Sequence, residues 1–316
     1  MTLLQTISTR TVHDRLAVHA AIPTPHDSKG NLDCEGLATL LTFLNGQRID
    51  GIVLNGATGE YPNLCAEQAI QLFSFCAEIL KSDTPFMCGI GAQTFSETLK
   101  LGHCAKSVGA SAVLLPGPFF FDYAQEDLLV FCQAAELELD IPIILYNLPR
   151  FAVGFDLSTV QALSSVSNIV AIKDSSGSLD MFRALASNNQ PMLRLIGNDS
   201  VIVEGLNEEV CEGVISGVAS VLPELIMYLV GSHRSTRADV YNKAALLLSE
   251  LLQQLSTFPT PWGIKWIAEW RGFFPAHFSQ PISIQRVRQA QVFREWFDGW
   301  WDAGRAFLQK AARSKA

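Results

Sequence analysis

One lysine of the nine in the chain stands at the end of an apolar run that is typical of a buried strand. Lys173 follows Ile169-Val170-Ala171-Ile172, and we predict that it alone among the lysines is held in a run that requires burial. Burial disfavours a charged ammonium, so such a lysine can present a neutral amine that attacks a carbonyl and forms an imine. A lysine that only caps the strand, or pairs with Asp174, is the alternative that this residue alone leaves open.

A tyrosine ends the apolar run that precedes the lysine's run. Tyr146 follows Ile143-Ile144-Leu145, and neighbouring strands lie about 4.8 Å apart. Its hydroxyl can therefore reach the Lys173 amine and pass protons to and from the oxygen that leaves when an imine forms. A tyrosine that completes a core layer, with its hydroxyl bonded to the backbone, is the alternative.

A glycine-rich segment, Gly56-Ala57-Thr58-Gly59-Glu60, lies between another apolar run and a helical pattern. Two glycines permit a tight turn, and successive amides with the Thr58 hydroxyl form a small anion site suited to a carboxylate. Any connection from a strand to a helix can use such a turn, so the segment alone does not establish a site. We expect Glu60 to be a hydrogen-bonding partner of the loop and not a catalyst.

The elements that must position these residues alternate between strands and helices. The apolar runs lie at Leu16–Ala21, Gly51–Leu54, Phe86–Ile90, Ala112–Leu115, Ile143–Tyr146, Ile169–Ile172, Leu193–Ile196 and Gly213–Ile215. Segments with helical spacing lie between them, such as the one with Leu128, Phe131, Ala135 and Leu137. Eight such units predict an α/β fold, a closed (β/α)8 barrel with parallel strands and its reactive groups at the carboxyl ends of the strands. An open doubly wound sheet is less favoured, because no G-x-G-x-x-G follows the first strand.

Helical patterns without strands occupy the rest of the chain. We predict a catalytic barrel over residues 1–231 and a helical extension over 232–316 that packs on it. Helices are expected over 238–255 and 285–309, the latter with an apolar face that comprises Val287, Val292, Trp296, Trp300 and Phe307. Aromatic residues at this spacing are typical of a core or an interface.

Composition excludes several classes of function. The net charge is −8 with no basic cluster, which argues against nucleic acid and anionic membranes as partners. Neither a signal peptide nor a membrane span is evident, so we expect a cytoplasmic protein. The seven cysteines show no Cys-x-x-Cys pair, and the six histidines show no metal-ligand spacing. We therefore predict reduced cysteines and no metal.

Taken together, four ordered motifs resemble those of the dihydrodipicolinate synthase and N-acetylneuraminate lyase family. They are Gly56-Ala57-Thr58-Gly59-Glu60, Tyr146-Asn147-Leu148-Pro149, Ile172-Lys173-Asp174 and Gly213-Val214-Ile215-Ser216. The resemblance implies a barrel enzyme, usually a homotetramer, that needs no cofactor. It further implies that Lys173 forms a Schiff base with pyruvate or another 2-oxo acid and that Tyr146 moves protons. Thr58 and the amides around it, including Ala57, would hold the carboxylate, and Ile215 would line the site through its carbonyl oxygen.

Differences from the synthases bear on the substrate. The synthases have Thr-Thr where this chain has Ala57-Thr58, and a tyrosine where it has Phe120; both missing hydroxyls belong to the synthase proton relay. The loop after Tyr146 is one residue longer, so Arg150 need not occupy the place of the synthase arginine that binds the second substrate. Phe119–Phe121 would form an apolar rim against a neighbouring subunit, and stacking on the substrate is the alternative.

These features favour a class I aldolase or lyase that cleaves or forms a carbon–carbon bond between pyruvate and an aldehyde, with a 2-keto-3-deoxy sugar acid as the longer substrate. Dihydrodipicolinate synthase itself, which uses aspartate semialdehyde, is the alternative. A barrel that binds a 2-oxo acid without turnover is the alternative of another class.

Overall fold

Parallel strands close into a barrel, which confirms the fold class predicted from the sequence. The computed structural model describes residues 16–313 except 48, 81–83, 189 and 235–236. The strands are β1 (Ala17–Ala21), β2 (Gly51–Leu54), β3 (Phe86–Gly89), β4 (Ala112–Pro116), β5 (Ile143–Asn147), β6 (Ile169–Asp174), β7 (Leu193–Ile196) and β8 (Gly213–Ser216). They lie in sequence order around the barrel, and β8 pairs with β1 to close it.

Helices connect successive strands and cover the outside of the barrel. They are α1 (Cys34–Asn45), α2 (Ala66–Leu80), α3 (Phe95–Ser107), α4 (Gln125–Glu138), α5 (Leu157–Leu163), α6 (Asp180–Ser187) and α7 (Ile202–Asn207). Side-chain caps begin several of them: Asp33 accepts from the Gly36 amide at 3.0 Å, and Asp156 accepts from the Thr159 amide at 2.7 Å. Leu137 was predicted on the inner face of α4 but is 83% exposed, because the turn of the helix directs Leu128, Cys132 and Ala135 to the barrel instead.

Alternation along the strands separates two apolar clusters. Ile172 packs outward among the helices, while Ala171 on the same strand belongs to the cluster that fills the barrel. Lys173 follows the same alternation as Ala171 and therefore projects from the end of β6 at the mouth of the barrel.

Beyond β8 the chain is helical, as expected. The helices are α8 (Pro223–Ser232), α9 (Ala238–Leu255), α10 (Trp262–Trp270) and α11 (Ile284–Arg313). No helix among the described residues is long and apolar enough to cross a membrane. The division of the chain at residue 231 stays a prediction.

The inner face of α11 differs from the predicted one. Phe293, Phe297 and Trp301 are buried, whereas Val292 is 67% exposed. The buried positions continue through Gly304, Leu308 and Ala311 at alternating steps of three and four residues, so the face is rotated by one residue from the predicted set. Trp296 and Trp300 flank it and stack on each other with ring centroids 5.0 Å apart.

Candidate active site

Lys173 and Tyr146 lie side by side at the carboxyl ends of two paired strands. The register between β5 and β6 places Tyr146 directly opposite Lys173. Their exposed fractions are 2% and 3%, and the Lys173 Nζ lies 4.0 Å from the centroid of the Tyr146 ring. A buried amine therefore lies against the face of a phenol, at the edge of the barrel where barrel enzymes carry their reactive groups.

The surroundings of Lys173 leave its amine free of the neighbouring carboxylate. Asp174 accepts hydrogen bonds from Asn147 Nδ2 and from the Ser176 amide, both at 2.7 Å. The Lys173 side chain instead crosses Gly197, where an added Cβ would lie 2.8 Å from its Cε and 2.9 Å from its Cγ. Lys173 therefore does not pair with Asp174, and that alternative is wrong.

The glycine-rich loop reaches the same place from β2. Thr58 is half-buried, and its hydroxyl oxygen would lie only 3.1 Å from a Cβ at Gly217, so the two segments are in close contact. The Thr24 hydroxyl donates to the Gly59 carbonyl at 2.7 Å and fixes the turn. A Cβ at Gly56 would lie 4.0 Å from the Tyr146 hydroxyl. The glycine-rich loop, the Tyr146 phenol and the Lys173 amine are therefore neighbours at the mouth of the barrel.

A cavity of about 540 Å³ opens above this point. All five residues predicted at the site line it: Ala57, Thr58, Tyr146, Lys173 and Ile215. Its volume suits a small organic substrate. The structure brings the five together, while the catalytic and binding roles assigned to them remain predictions.

The opposite wall of the cavity was not predicted. It comes from the helical extension, with Leu252 and Leu255 at the end of α9, Phe258 in the connection, and Ile264 in α10. The extension was expected to pack on the barrel. Nothing in the sequence indicates that the proline-containing turn between α9 and α10 would lie over the mouth of the barrel. The extension therefore forms part of the site.

Asp199 was not among the predicted site residues, but it follows β7 and lines the same cavity. Its Oδ2 accepts from the Val218 amide at 3.1 Å. Burial raises the pKa of Asp199, and the hydrogen bond from Ser216 and the charge of Lys173 act against this rise. The position of Asp199 shortly after a strand was the sequence feature that could have identified it as a site residue. Arg150 lines the cavity as well.

The prediction that Lys173 alone among the lysines would be buried is wrong. Lys265 in α10 is fully buried, flanked by Ile264 and Trp266. It forms an ion pair with Glu60, which explains how a charged side chain is accommodated there. Lys265 does not line the cavity, and its apolar neighbours were the signal that could have identified it.

The described part of the chain holds no group of three or more histidine, cysteine or acidic side chains that could bind a metal ion. All seven cysteines are free thiols. The polar groups that line the cavity include an amine, a phenol, hydroxyls, a carboxyl and a guanidinium. Groups of these types can supply a nucleophile, a proton carrier and an anion site.

Comparisons with known proteins identify the family. The model of the dihydrodipicolinate synthetase family matches residues 15–293. A 4-hydroxy-tetrahydrodipicolinate synthase of Thioalkalivibrio sulfidiphilus is 32% identical over 280 residues, which cover 87% of this chain and 94% of that protein. The crystal structure of dihydrodipicolinate synthase from Aquifex aeolicus is similar with a TM-score of 0.84 and 25% identity, covering 90% of this chain and 98% of that one. A sialic acid aldolase of Ruminococcus gnavus shares the fold, with a TM-score of 0.83 at 17% identity over 93% of this chain and 100% of that one. The chain therefore belongs to the dihydrodipicolinate synthetase family of pyruvate-dependent class I aldolases and is an enzyme of the lyase class.

Proposed function

We propose that Lys173 forms an imine with the 2-oxo group of pyruvate and that the resulting enamine reacts with an aldehyde. The observation that carries the proposal is the contact between the Lys173 amine and the Tyr146 ring, 4.0 Å apart at the base of the cavity. A buried amine against a phenol is of little use for binding alone, but both groups are needed for imine chemistry.

The residues divide the steps between them. The neutral Lys173 amine attacks C2 of pyruvate, and Tyr146 donates the proton with which the oxygen leaves as water. The tyrosinate left by this transfer takes a proton from C3 and gives an enamine. The enamine carbon attacks the aldehyde, and the aldehyde oxygen takes that proton back from Tyr146 as the new bond forms. Thr58 and the amides beside Ala57 hold the carboxylate of the 2-oxo acid, and Ile215 lines the same cavity. The reverse sequence cleaves the bond, and hydrolysis of the imine frees Lys173.

We further propose aspartate semialdehyde as the aldehyde, so that the reaction is that of a dihydrodipicolinate synthase. The support is that relatives up to 32% identical over most of their length are named 4-hydroxy-tetrahydrodipicolinate synthase. Arg150 lines the cavity and offers a guanidinium to the carboxylate of this aldehyde.

A 2-keto-3-deoxy sugar acid is the second candidate. Ala57 and Phe120 stand where the synthases carry relay hydroxyls, and a different acceptor would remove the need for that relay. The wall beyond Lys173 is polar, with Ser175, Asn198 and Asp199 facing the cavity. Such groups suit the hydroxyls of a sugar chain.

Borohydride trapping with pyruvate, followed by peptide mass spectrometry, tests the imine. A reduced pyruvyl adduct is expected on the peptide that contains Lys173 and not on the Lys265 peptide, since Lys265 is equally buried but does not line this cavity. The adduct should be absent from Lys173→Ala. Failure to trap pyruvate or longer 2-oxo acids would refute the imine and leave a non-catalytic binding barrel as the favoured function.

Two turnover assays then separate the aldehydes. Consumption of pyruvate with aspartate semialdehyde is expected of a synthase, and an Arg150→Ala variant should raise the KM for the semialdehyde without changing half-saturation by pyruvate. Release of pyruvate from 2-keto-3-deoxy sugar acids, with no synthase activity, would establish the second candidate instead.

The substrates proposed here are small molecules, and a homotetramer is the assembly we propose. Phe120 is 89% exposed and Phe121 65% exposed in the single chain, as expected for a rim that a second copy covers. Light scattering on the purified protein measures the assembly, and a monomer at micromolar concentration would refute it. The cytoplasmic location stays a prediction.

A further inference from the structure

Lys265, which the proposed chemistry does not use, is the centre of a buried polar cluster. It lies in α10, none of its surface is exposed, and it forms an ion pair with Glu60, which is 4% exposed. The Lys265 Nζ also lies 3.2 Å from His26 Nδ1 and donates to the His277 carbonyl at 3.1 Å. The cluster therefore joins the loops after β1 and β2 to the helical extension.

Glu60 connects this cluster to the loop of the active site. It lies two residues after Thr58 and has a φ of +62°, in the left-handed region that a long side chain rarely adopts. The Ser279 hydroxyl donates to its Oε1 at 2.8 Å. A residue keeps such a backbone conformation only when its surroundings hold it there. Lys265 and Ser279 provide that hold from the side of the extension.

Stability alone is a poor explanation for the pair. Taking two charges out of water carries a large desolvation penalty, and apolar residues of similar size often serve as well. The pair instead links the segments that form two walls of the cavity. Glu60 continues the loop of Thr58, and Lys265 follows Gly263 and Ile264, which line the opposite wall. Its location suits a device that fixes one wall relative to the other.

We propose that Lys265 is a positioning residue that, through Glu60, holds the Thr58 loop in the shape that receives the carboxylate of the 2-oxo acid. The inference rests on the proposed function for the identity of the ligand. It assigns to the helical extension a part in substrate binding that is separate from the chemistry at Lys173.

The test is Lys265→Met, which keeps the length of the side chain and removes its charge. The pyruvate concentration at half-maximal borohydride trapping is expected to rise roughly tenfold or more, because a displaced loop loses its contacts with the carboxylate. Trapping at saturating pyruvate should stay within about twofold of the wild-type rate, since no atom of Lys173 or Tyr146 is changed. Lys100→Met is the matched control: it breaks the exposed pair with Glu67, at 2.9 Å, and should leave trapping unchanged.

A double variant separates positioning from stability. Lys265→Met leaves a buried carboxylate unpaired and is expected to lower Tm, whereas adding Glu60→Gln removes that charge and should restore most of the loss. If Lys265 positions the loop, the pyruvate concentration at half-maximal trapping remains raised in the double variant although Tm recovers. A return of half-saturation to the wild-type value, or an unchanged value in Lys265→Met, overturns the proposal.

Two further measurements test the positioning role of Lys265 if the first variant does not fold or the wild-type protein traps no substrate. Should Lys265→Met fail to fold, Ser279→Ala removes the hydroxyl that donates to Glu60 and accepts from Asn63 Nδ2 at 3.0 Å. It is expected to raise the pyruvate concentration at half-maximal trapping about twofold to fivefold; no change would count against the proposal. Hydrogen exchange of the peptide over residues 56–64 should be faster in Lys265→Met than in the wild type. Because this readout needs no substrate, it decides the positioning role even if a wild-type protein that traps no 2-oxo acid refutes the proposed function.

Discussion

Replacing Gly197 with alanine is expected to displace the side chain of Lys173 while Lys173 itself is unchanged. The new Cβ would lie 2.8 Å from Lys173 Cε and 2.9 Å from its Cγ, and closer still to the Ser175 hydroxyl. Carbon atoms pack at about 3.5–4.0 Å, so the Lys173 side chain must move by about 0.7 Å or more. A displacement of this size near a reacting atom costs on the order of 10- to 100-fold in rate, which corresponds to about 1.4–2.7 kcal/mol in the activation free energy.

The assay for Gly197→Ala is the rate of imine trapping at a pyruvate concentration below half-saturation, with Tm measured beside it. Gly231→Ala is the control, because a Cβ at Gly231 in α8 would meet nothing within 4 Å. We expect slow trapping in the first variant and the wild-type rate in the second. A Gly197→Ala protein that traps at the wild-type rate would show that the Lys173 side chain does not depend on the space above Gly197, and the reasoning would be refuted.

Three other substitutions test the remaining groups. Tyr146→Phe should lower kcat about 10²- to 10⁴-fold by removing the proton carrier, while the adduct on Lys173 still accumulates at long times; unchanged steady-state turnover would exclude Tyr146 as the acid and base. Thr58→Val should raise half-saturation by pyruvate about 10- to 100-fold, as expected from the loss of a hydrogen bond to a carboxylate, and a trapping titration measures this. Asp199→Asn should raise Tm at neutral pH. Burial raises the pKa of Asp199 in the folded state above the ordinary value of 3.8. Above this folded-state pKa the buried carboxyl is ionised and lowers the free energy of unfolding. Below pH 3.8 the carboxyl is protonated in the folded and the unfolded state, and the loss of stability disappears. Melting curves of Asp199→Asn and the wild type that do not converge at low pH would contradict this assignment.

The barrel, and the placement of Tyr146 and Lys173 at the ends of its strands, could be predicted because each strand is a short apolar run between turn residues. Strand order then brings the ends of consecutive runs together, and the pairing of β5 with β6 sets Tyr146 opposite Lys173. The inner face of α11 could not be predicted in the same way. Phe293 and Phe297 are buried and Val292 is exposed, yet all three are apolar, so the face depends on what the helix packs against.

The environment of Lys265 shows a second limit. Its apolar neighbours Ile264 and Trp266 indicate burial, but a buried ammonium needs a partner, and that partner is Glu60 on a loop far away in the chain. Only the tertiary fold brings the two together. The same holds for the wall formed by Phe258 and its neighbours, because sequence periodicity does not say over which part of the barrel a helix will lie.

That wall has a consequence for how activities diversify on this scaffold. The lysine and the phenol are fixed by the hydrogen-bonded ladder of the barrel, where a change of one residue disturbs several strands. The residues over the cavity belong to helix ends and to the connection over residues 256–261, which no ladder constrains. Selection can therefore alter the shape of the cavity by changing this wall while the strand ends that carry Lys173 and Tyr146 are inherited intact. Substrate preference in such proteins should accordingly follow the connections that line the cavity, including the one between the last strand and the final helix, more closely than the sequence of the strands.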